Sequence, residues 1–555
     1  MPRALPALLL LAVAPSIGCA RAPRCDRLLC GGVVHTPGGG KPAAIAVRDG
    51  RIVAIVPPED EAPWRASAGE VVELDGAHVY PGFVEGHGHL TGYGTALEQV
   101  DLAGATSFEE VVARTRARAD TLPKGSFVQG RGWDQNLWPD KSFPSHKSLS
   151  EAIPDHPVVL RRVDGHAVLL NKTALAMAGI DRATPDPPGG RILKGPDGQP
   201  TGVLLDAAAD RLAALLPKPG AADLERRITL ASRHLTAYGL TGIHDAGTSR
   251  EELATLRRLE KSDKLGLRVY AMLDGADEEL LGQELPLGPS LSRDGMLAVR
   301  AVKLYADGAL GSRGAWLSSP YADEPTSRGL QVTPEARLAD VISRAAAAGF
   351  QPCVHAIGDA AVTMTLNVFS RVLGDGGAGL RPRVEHAQVV RPEDLERFGR
   401  EGVVAAVQPV HCTSDMPWAP ARLGEARIAW AYRWRSLLAA GAHLELGSDV
   451  PVEDPDPRRG LFASVTRRSP GMTVEQAWNP GEALTLDEAV AGFTSGAAFA
   501  SFSEGWCGTL APGMAADLTI FERDLAAVGD AGLLTVRVVR TVVRGRDMFV
   551  AGSQT

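Results

Sequence analysis

The sequence predicts a (β/α)8 TIM barrel with insertions, joined to a small composite β-sandwich formed by the N- and C-terminal segments. Three observations carry this reading. One unit recurs along the chain: an amphipathic run, a glycine, a short β-branched strand and a polar residue. Such alternation of helix and apolar strand belongs to parallel strands with crossover helices. The polar residue falls each time at the strand's end, and the C-terminal face is where barrels of this kind build their sites. Finally, both ends of the chain carry hairpin signals, at Asp49-Gly50 and Arg544-Gly545.

The elements follow in chain order. Arg3 precedes the apolar run Leu5 to Ala14, too short for a bilayer span of ~20 residues but of signal-peptide length. It ends in Ser16-Ile17-Gly18-Cys19, which resembles a bacterial lipobox with Ser16 where Leu is preferred. Residues 1–18 are therefore expected to be a signal peptide and Cys19 to be lipidated, with cleavage after Ala20 as the alternative. Either way the chain is expected to be exported, and on the lipobox reading it is a bacterial membrane-anchored lipoprotein facing the periplasm or cell exterior. No later segment runs eighteen residues without charge.

Residues 26–81 and 505–555 are assigned to the two parts of the sandwich, and 82–500 to the barrel. That span exceeds the typical ~250 residues, so an insertion is expected, at about 125–220, where Pro and Gly crowd between Pro185 and Gly202. The clearest repeat starts with Thr333 as cap and Pro334 as first helical residue. Leu338, Val341, Ile342 and Ala345 recur at helical spacing, Gly349 closes the helix, and Gln351 to Val354 runs into His355. Leu224–Tyr238 with Gly239 leads to His244-Asp245, Pro392–Glu401 with Gly402 to Gln408, and Tyr432–Ala440 with Gly441 to Ser448-Asp449.

With 555 residues, 45% hydrophobic and 22% charged, the chain is no small disulfide scaffold or lone binding module, and it has material for a large core. A net charge of −8 with no basic block argues against a nucleic-acid partner. Of the six cysteines, Cys25 and Cys30 are close enough to pair, a connectivity left open.

The chemistry gathers at strand ends. His87 and His89, in PGFVEGHGHL, follow an apolar strand two residues apart, so both rings can reach one ion. His355, His386 and Asp449 each end a further strand, and imidazole and carboxylate are zinc-type donors. Lys303 lies in the strand AVRAVKLY, where burial of a charged amine is costly. A neutral amine there can take up carbon dioxide as a carbamate; pairing to Asp307, or snorkelling to solvent, is the ordinary alternative.

PGFVEGHGHL, VKLYADGALGSR, VHAIGDAAV, RVEHAQ, VQPVH, GSDVPVEDPDP and GTLAPGMAADLTIFERD occur in the order found in the amidohydrolase superfamily. Over about residues 26–550 the chain resembles its YtcJ-like branch (amidohydrolase family 3), which includes N-substituted formamide deformylase. The resemblance implies two divalent metal ions, zinc as the usual choice. His87 and His89 would hold one with Asp449, His355 and His386 the other, and carbamylated Lys303 would bridge them. Asp449 would shuttle the proton while a metal-activated hydroxide hydrolyses a non-peptide C–N bond, such as an N-acyl or N-formyl amide. Glu85 and Gly314 depart from the usual Asp and Thr. The alternatives are a mononuclear deaminase or cyclic amidohydrolase, or a noncatalytic solute-binding lipoprotein.

The expected partners are a small-molecule amide and, through the lipid anchor, the membrane; a homodimer is left open. His166, His244, Asp245, Arg313 and His411 are candidates for substrate contact, with structural support of the barrel mouth as the alternative for His244, Asp245 and His411. Trp418, Trp430, Trp434 and Tyr432 form an aromatic wall or, on the preferred reading, pack beneath an insertion. His35, His78, His146, His156, His234 and His443 lack strand-end context and are read as ordinary residues.

Overall fold

The computed structural model describes residues 24–36, 38–162, 167–187, 190–206, 208–209, 216, 218–374 and 377–553. The expected signal peptide, lipidation at Cys19 and the His166 candidate lie outside them. Eight parallel strands form the barrel: β1 (Phe83–Gly88), β2 (Leu240–Thr248), β3 (Arg268–Asp274), β4 (Leu297–Tyr305), β5 (Gln351–Ala356), β6 (Arg383–His386), β7 (Val404–Val407) and β8 (His443–Leu446). They neighbour one another in chain order. The ring closes just beyond the last strand, where Gly88 and Val450 form a parallel bridge and the His89 N–H donates to Val450 O at 2.7 Å.

Closure depends on two glycines. A Cβ on Gly86 would meet Glu445 Cγ at 2.5 Å, and one on Gly447 would meet the His87 nitrogen at 2.5 Å. Beside them Glu85 accepts hydrogen bonds from the Ser448 backbone (2.6 Å) and hydroxyl (2.7 Å), lacing β1 to the segment after β8. Burial raises its carboxyl to about 7, against the lowering influence of Ser448.

Helices cover the barrel because their apolar faces match its wall. Glu335–Ala347 turns Leu338, Val341, Ile342 and Ala345 inward, all fully buried. Pro334 rather than Thr333 takes its N-cap position, and the Pro334 carbonyl accepts from Leu338 N at 3.0 Å. Pro392–Glu401 stops at Gly402, whose left-handed φ of 67° lets the chain turn into β7.

The ends of the chain share one eight-stranded sheet. Its main path runs Arg546–Val550, Val538–Val543, Leu518–Phe521, His78–Pro81, Arg27–Thr36, Gly39–Arg48, Arg51–Val56, and Glu70–Glu73 pairs with Arg27–Thr36. Both expected hairpins form, with positive φ at Asp49, Gly50, Arg544 and Gly545 as the two-residue turn requires. Ile52 N donates to Met514 O at 2.9 Å, so the sheet folds back on itself around Ile45, Val47, Leu518 and Val542. Cys25 and Cys30 are buried on its other side as free thiols. Thr519 ties the sheet to the barrel floor, its hydroxyl accepting from Phe83 N (3.0 Å) and donating to Gly239 O (2.7 Å).

Between β1 and β2 the chain leaves the barrel and builds a six-stranded sheet from Val100–Asp101 to Pro200–Asp206. It has its own core around Trp133, Trp138, Leu160 and Leu169. Among the described residues no helix is long and apolar enough to cross a membrane.

Candidate metal centre at the barrel mouth

Alternation along the strands points one set of side chains into the barrel, and at its C-terminal end they converge. His87 on β1 is buried, with Nε2 at 3.3 Å from Lys303 Nζ and 3.6 Å from Asp449 Oδ1. His89, just past β1, brings Nε2 to 3.2 Å from the same oxygen. The ring centroids of His355 and His386 stand 4.4 Å apart, and those of His386 and His87 5.1 Å. Five of the six residues implied as ligands thus surround Asp449, the six coming from five segments of the chain.

Backbone strain holds two of them in place. His386 and Asp449 have φ of 74° and 62°, in the left-handed region that costs a side-chain-bearing residue of order 1–3 kcal/mol. For Asp449 the conformation is secured by its N–H, which donates to His87 O at 2.8 Å, and by its carbonyl, which accepts from Val452 N at 2.8 Å.

The electrostatics suit a cation. Burial, then Lys303, pushes His87 down to about 4, and the same two causes push His355 down to about 3. Burial and His355 lower His386 further. These are neutral imidazoles, the form that ligates a metal. Burial also lowers Lys303, only partly offset by Glu385 and Asp449. Asp307 does not pair with this lysine. Its carboxylate accepts from Ile357 N (3.0 Å), Gly358 N (2.7 Å) and Trp316 N (2.8 Å), and among the described residues no carboxylate ion-pairs with Lys303. At the mouth, His355 Nε2 and His386 Nδ1 are buried without a hydrogen bond, and Asp449 Oδ1 meets only the His89 and His87 imidazoles. Nitrogen and oxygen donors facing one space fit a divalent zinc-like ion.

His87, His89 and Asp449 form one ligand group, and His386, His411 and Asp449 a second. His411 therefore stands inside the cluster. Its Nε2 lies 3.4 Å from Asp449 Oδ2 and its Nδ1 3.5 Å from Glu453. Although burial opposes it, these two carboxylates raise His411 to about 10.

The other candidates for substrate contact are placed elsewhere. His244 points into the barrel beneath the cluster, in contact with Glu445 and with Arg383 at 3.1 Å. Asp245 accepts from Leu90 N (2.8 Å) and the Thr248 hydroxyl (2.7 Å), fixing the helix that follows His89. Arg313 ion-pairs with Asp323 (3.0 Å) and Glu324 (3.2 Å). Tyr432 and Trp434 are core residues, 3% and 1% exposed, so they pack rather than wall the mouth.

Sequence reading missed the layer below. Glu385, fully buried, contacts His87 Nδ1 and is itself held by Arg383 Nε at 2.7 Å; Arg383 also pairs with Glu445 at 2.8 Å. Burial disfavours the Glu385 anion, yet Arg383 and His87 hold its carboxyl well below the usual range. A carboxylate on the far nitrogen of a ligating histidine fixes its tautomer and orientation. The signal was present in RVEH, where Glu385 immediately precedes His386.

Comparison with known proteins agrees with this geometry. The amidohydrolase family matches residues 70–549. The Bacillus subtilis (strain 168) protein YtcJ is 33% identical over 534 residues, 94% of this chain and 98% of its own. N-substituted formamide deformylase of Arthrobacter pascens is 28% identical, covering 90% of this chain and 94% of its own. A solved metal-dependent hydrolase from Pyrococcus horikoshii OT3 superposes with a TM-score of 0.76 at 29% identity, over 91% of this chain and 99% of that one. With its barrel, its strand-end donors and a family match over most of its length, the chain belongs to the amidohydrolase family.

Proposed function

We propose that this chain hydrolyses an N-acyl or N-formyl amide through a dinuclear, zinc-type centre bridged by carbamylated Lys303. Membership of the family makes it a metal-dependent hydrolase of carbon–nitrogen bonds other than peptide bonds. The formamide deformylase among its relatives supports the narrower substrate class. The observation that carries the reading is Lys303: buried, 1% exposed, without a carboxylate partner among the described residues, and 3.3 Å from His87 Nε2.

His87, His89, His355, His386 and Asp449 would hold the ions. Burial favours the neutral amine of Lys303, which would take up carbon dioxide with release of a proton, and the oxygens of its carbamate would add anionic donors beside His87. When bound, zinc-type ions lower the pKa of water toward ~7 and polarise the scissile carbonyl. Asp449 Oδ1, which among the described residues meets only the imidazoles of His89 (3.2 Å) and His87 (3.6 Å), accepts the proton of the attacking water and passes it to the departing amine nitrogen. Oδ2 faces His411, whose charge keeps the carboxylate ionised; burial opposes that state, and His411 and His89 outweigh it. Glu453 and Glu385 are positioning residues, steering His411 and His87 respectively.

A mononuclear reading has one observation in its favour: His87, His89 and Asp449 make a complete ligand group by themselves. It predicts a Lys303 that stays unmodified. The test is a panel of N-formyl, N-acyl and cyclic amides incubated with zinc-loaded protein and assayed for released amine. Release from the formyl or acyl members supports the proposal; turnover of cyclic amides alone, or of none, contradicts it. Export and a Cys19 lipid anchor remain part of the proposal, read out as detergent-phase partitioning that Cys19→Ala abolishes.

A further inference from the structure

A second cluster of imidazole and carboxylate lies in the sandwich, away from the barrel mouth. Arg27–Thr36 runs parallel to His78–Pro81, with Val33 opposite His78 and Val34 opposite Val79. That pairing brings His35 Nε2 to 2.9 Å from His78 Nδ1. Asp524, just after the Leu518–Phe521 strand, completes the group, with one donor atom from each residue within 4.8 Å of the others.

The site is built rather than incidental. The His35 ring stacks on Tyr80 at a centroid distance of 4.1 Å and 9° between planes. Its other face lies against Gly40, directly across the ladder, where a Cβ would stand 2.7 Å from His35 Cε1. The ring is thus clamped, and only glycine permits it. Tyr80 orients the carboxylate as well: its hydroxyl donates to Asp524 Oδ1 at 3.0 Å and accepts from Leu525 N at 3.1 Å. Oδ1 also accepts from Ala526 N at 2.9 Å, leaving Oδ2 for another partner.

Charge points the same way. Asp517, Asp547 and Asp263 each pair with arginine. Among the described residues no arginine or lysine pairs with Asp524; the basic groups acting on it are His35 and His78. A cavity of about 430 Å³ lined by His35, Tyr80, Asp487 and Asp524 adjoins the group, and Asp487 adds a further negative charge. Two nitrogens, one carboxylate oxygen and an open side for water match the donor set of a zinc-like ion.

We propose that His35, His78 and Asp524 bind a divalent, zinc-type cation that joins the two terminal halves of the sandwich. The three ligands come from an N-terminal strand, the strand leading into β1, and the C-terminal segment. Such an ion links residues separated by over four hundred positions, and the stabilisation it confers follows its affinity for the folded chain.

The test is zinc content after loading the full-length protein with excess zinc and exhaustive dialysis. His78→Ala is expected to hold one equivalent fewer than the unsubstituted chain and to lose part of the zinc-dependent rise in Tm. Asp524→Asn, which keeps an acceptor for the Tyr80 hydroxyl, decides by the same count should His78→Ala fold poorly. Combined with His355→Ala at the barrel mouth, the two losses should add. Unchanged zinc content in both sandwich variants, or a combined variant that loses no more than His355→Ala alone, would overturn the proposal.

Discussion

Two layers of the barrel interior lie one above the other and treat their polar groups in opposite ways. The lower layer is held by close ion pairs, Arg383 with Glu385 and Glu445 and Glu445 with His244. In the upper layer His355 Nε2 and His386 Nδ1 are buried without a hydrogen bond, and Asp449 Oδ1 meets only imidazoles, His89 at 3.2 Å and His87 at 3.6 Å. His87 spans the two, its Nδ1 on Glu385 below and its Nε2 toward Lys303 and Asp449 above. Paired groups in a low-dielectric interior hold a scaffold in one arrangement, whereas orphaned donors there are a cost that only a ligand offsets. The difference separates the part of the barrel that positions from the part that reacts.

Substitutions can break this contrast. The largest expected effect is at Asp449: Asp449→Asn should lower kcat by about 10³-fold, within the span that a positioned acid–base contributes. Steady-state amine release by the zinc-loaded variant measures it. Lys303→Ala should follow, losing bound metal and more activity than the roughly 100-fold that an outer ligand partner is worth. Short carboxylic acids added to that variant should return part of the rate if a carbamate is what was lost.

Stability should divide the layers in the reverse sense. Arg383→Met strands two buried carboxylates, so urea unfolding of the metal-free protein should show a loss of about 3–5 kcal/mol. His355→Ala removes a nitrogen that has no hydrogen bond and should cost the metal-free protein only about 1 kcal/mol while losing one equivalent of metal at the barrel mouth. Asp245→Ala, which removes the acceptor for Leu90 N, should cost a similar amount, about 1 kcal/mol, as helix caps do.

The upper layer was legible in sequence because each donor follows a recognisable strand. The run Gln351 to Val354 announces His355, and GSD announces Asp449. The lower layer was not, because alternating charges in RVEH resemble a solvated strand until closure of the barrel turns Arg383 and Glu385 inward. His35 and His78 were read as ordinary because no motif joins them; only the parallel pairing of two terminal strands does. The inserted sheet begins at Val100–Asp101, a two-residue strand too short to carry any periodicity. The sandwich was visible through Asp49-Gly50 and Arg544-Gly545, since both turns demand positive φ.

The central claim is that the orphaned upper layer is a two-metal centre bridged through Lys303. Zinc counted in the His78→Ala chain, expressed with bicarbonate, isolates the barrel mouth from the sandwich. Two equivalents per chain, falling when Lys303→Ala is added, is the predicted result; one equivalent indifferent to both bicarbonate and Lys303 would contradict it.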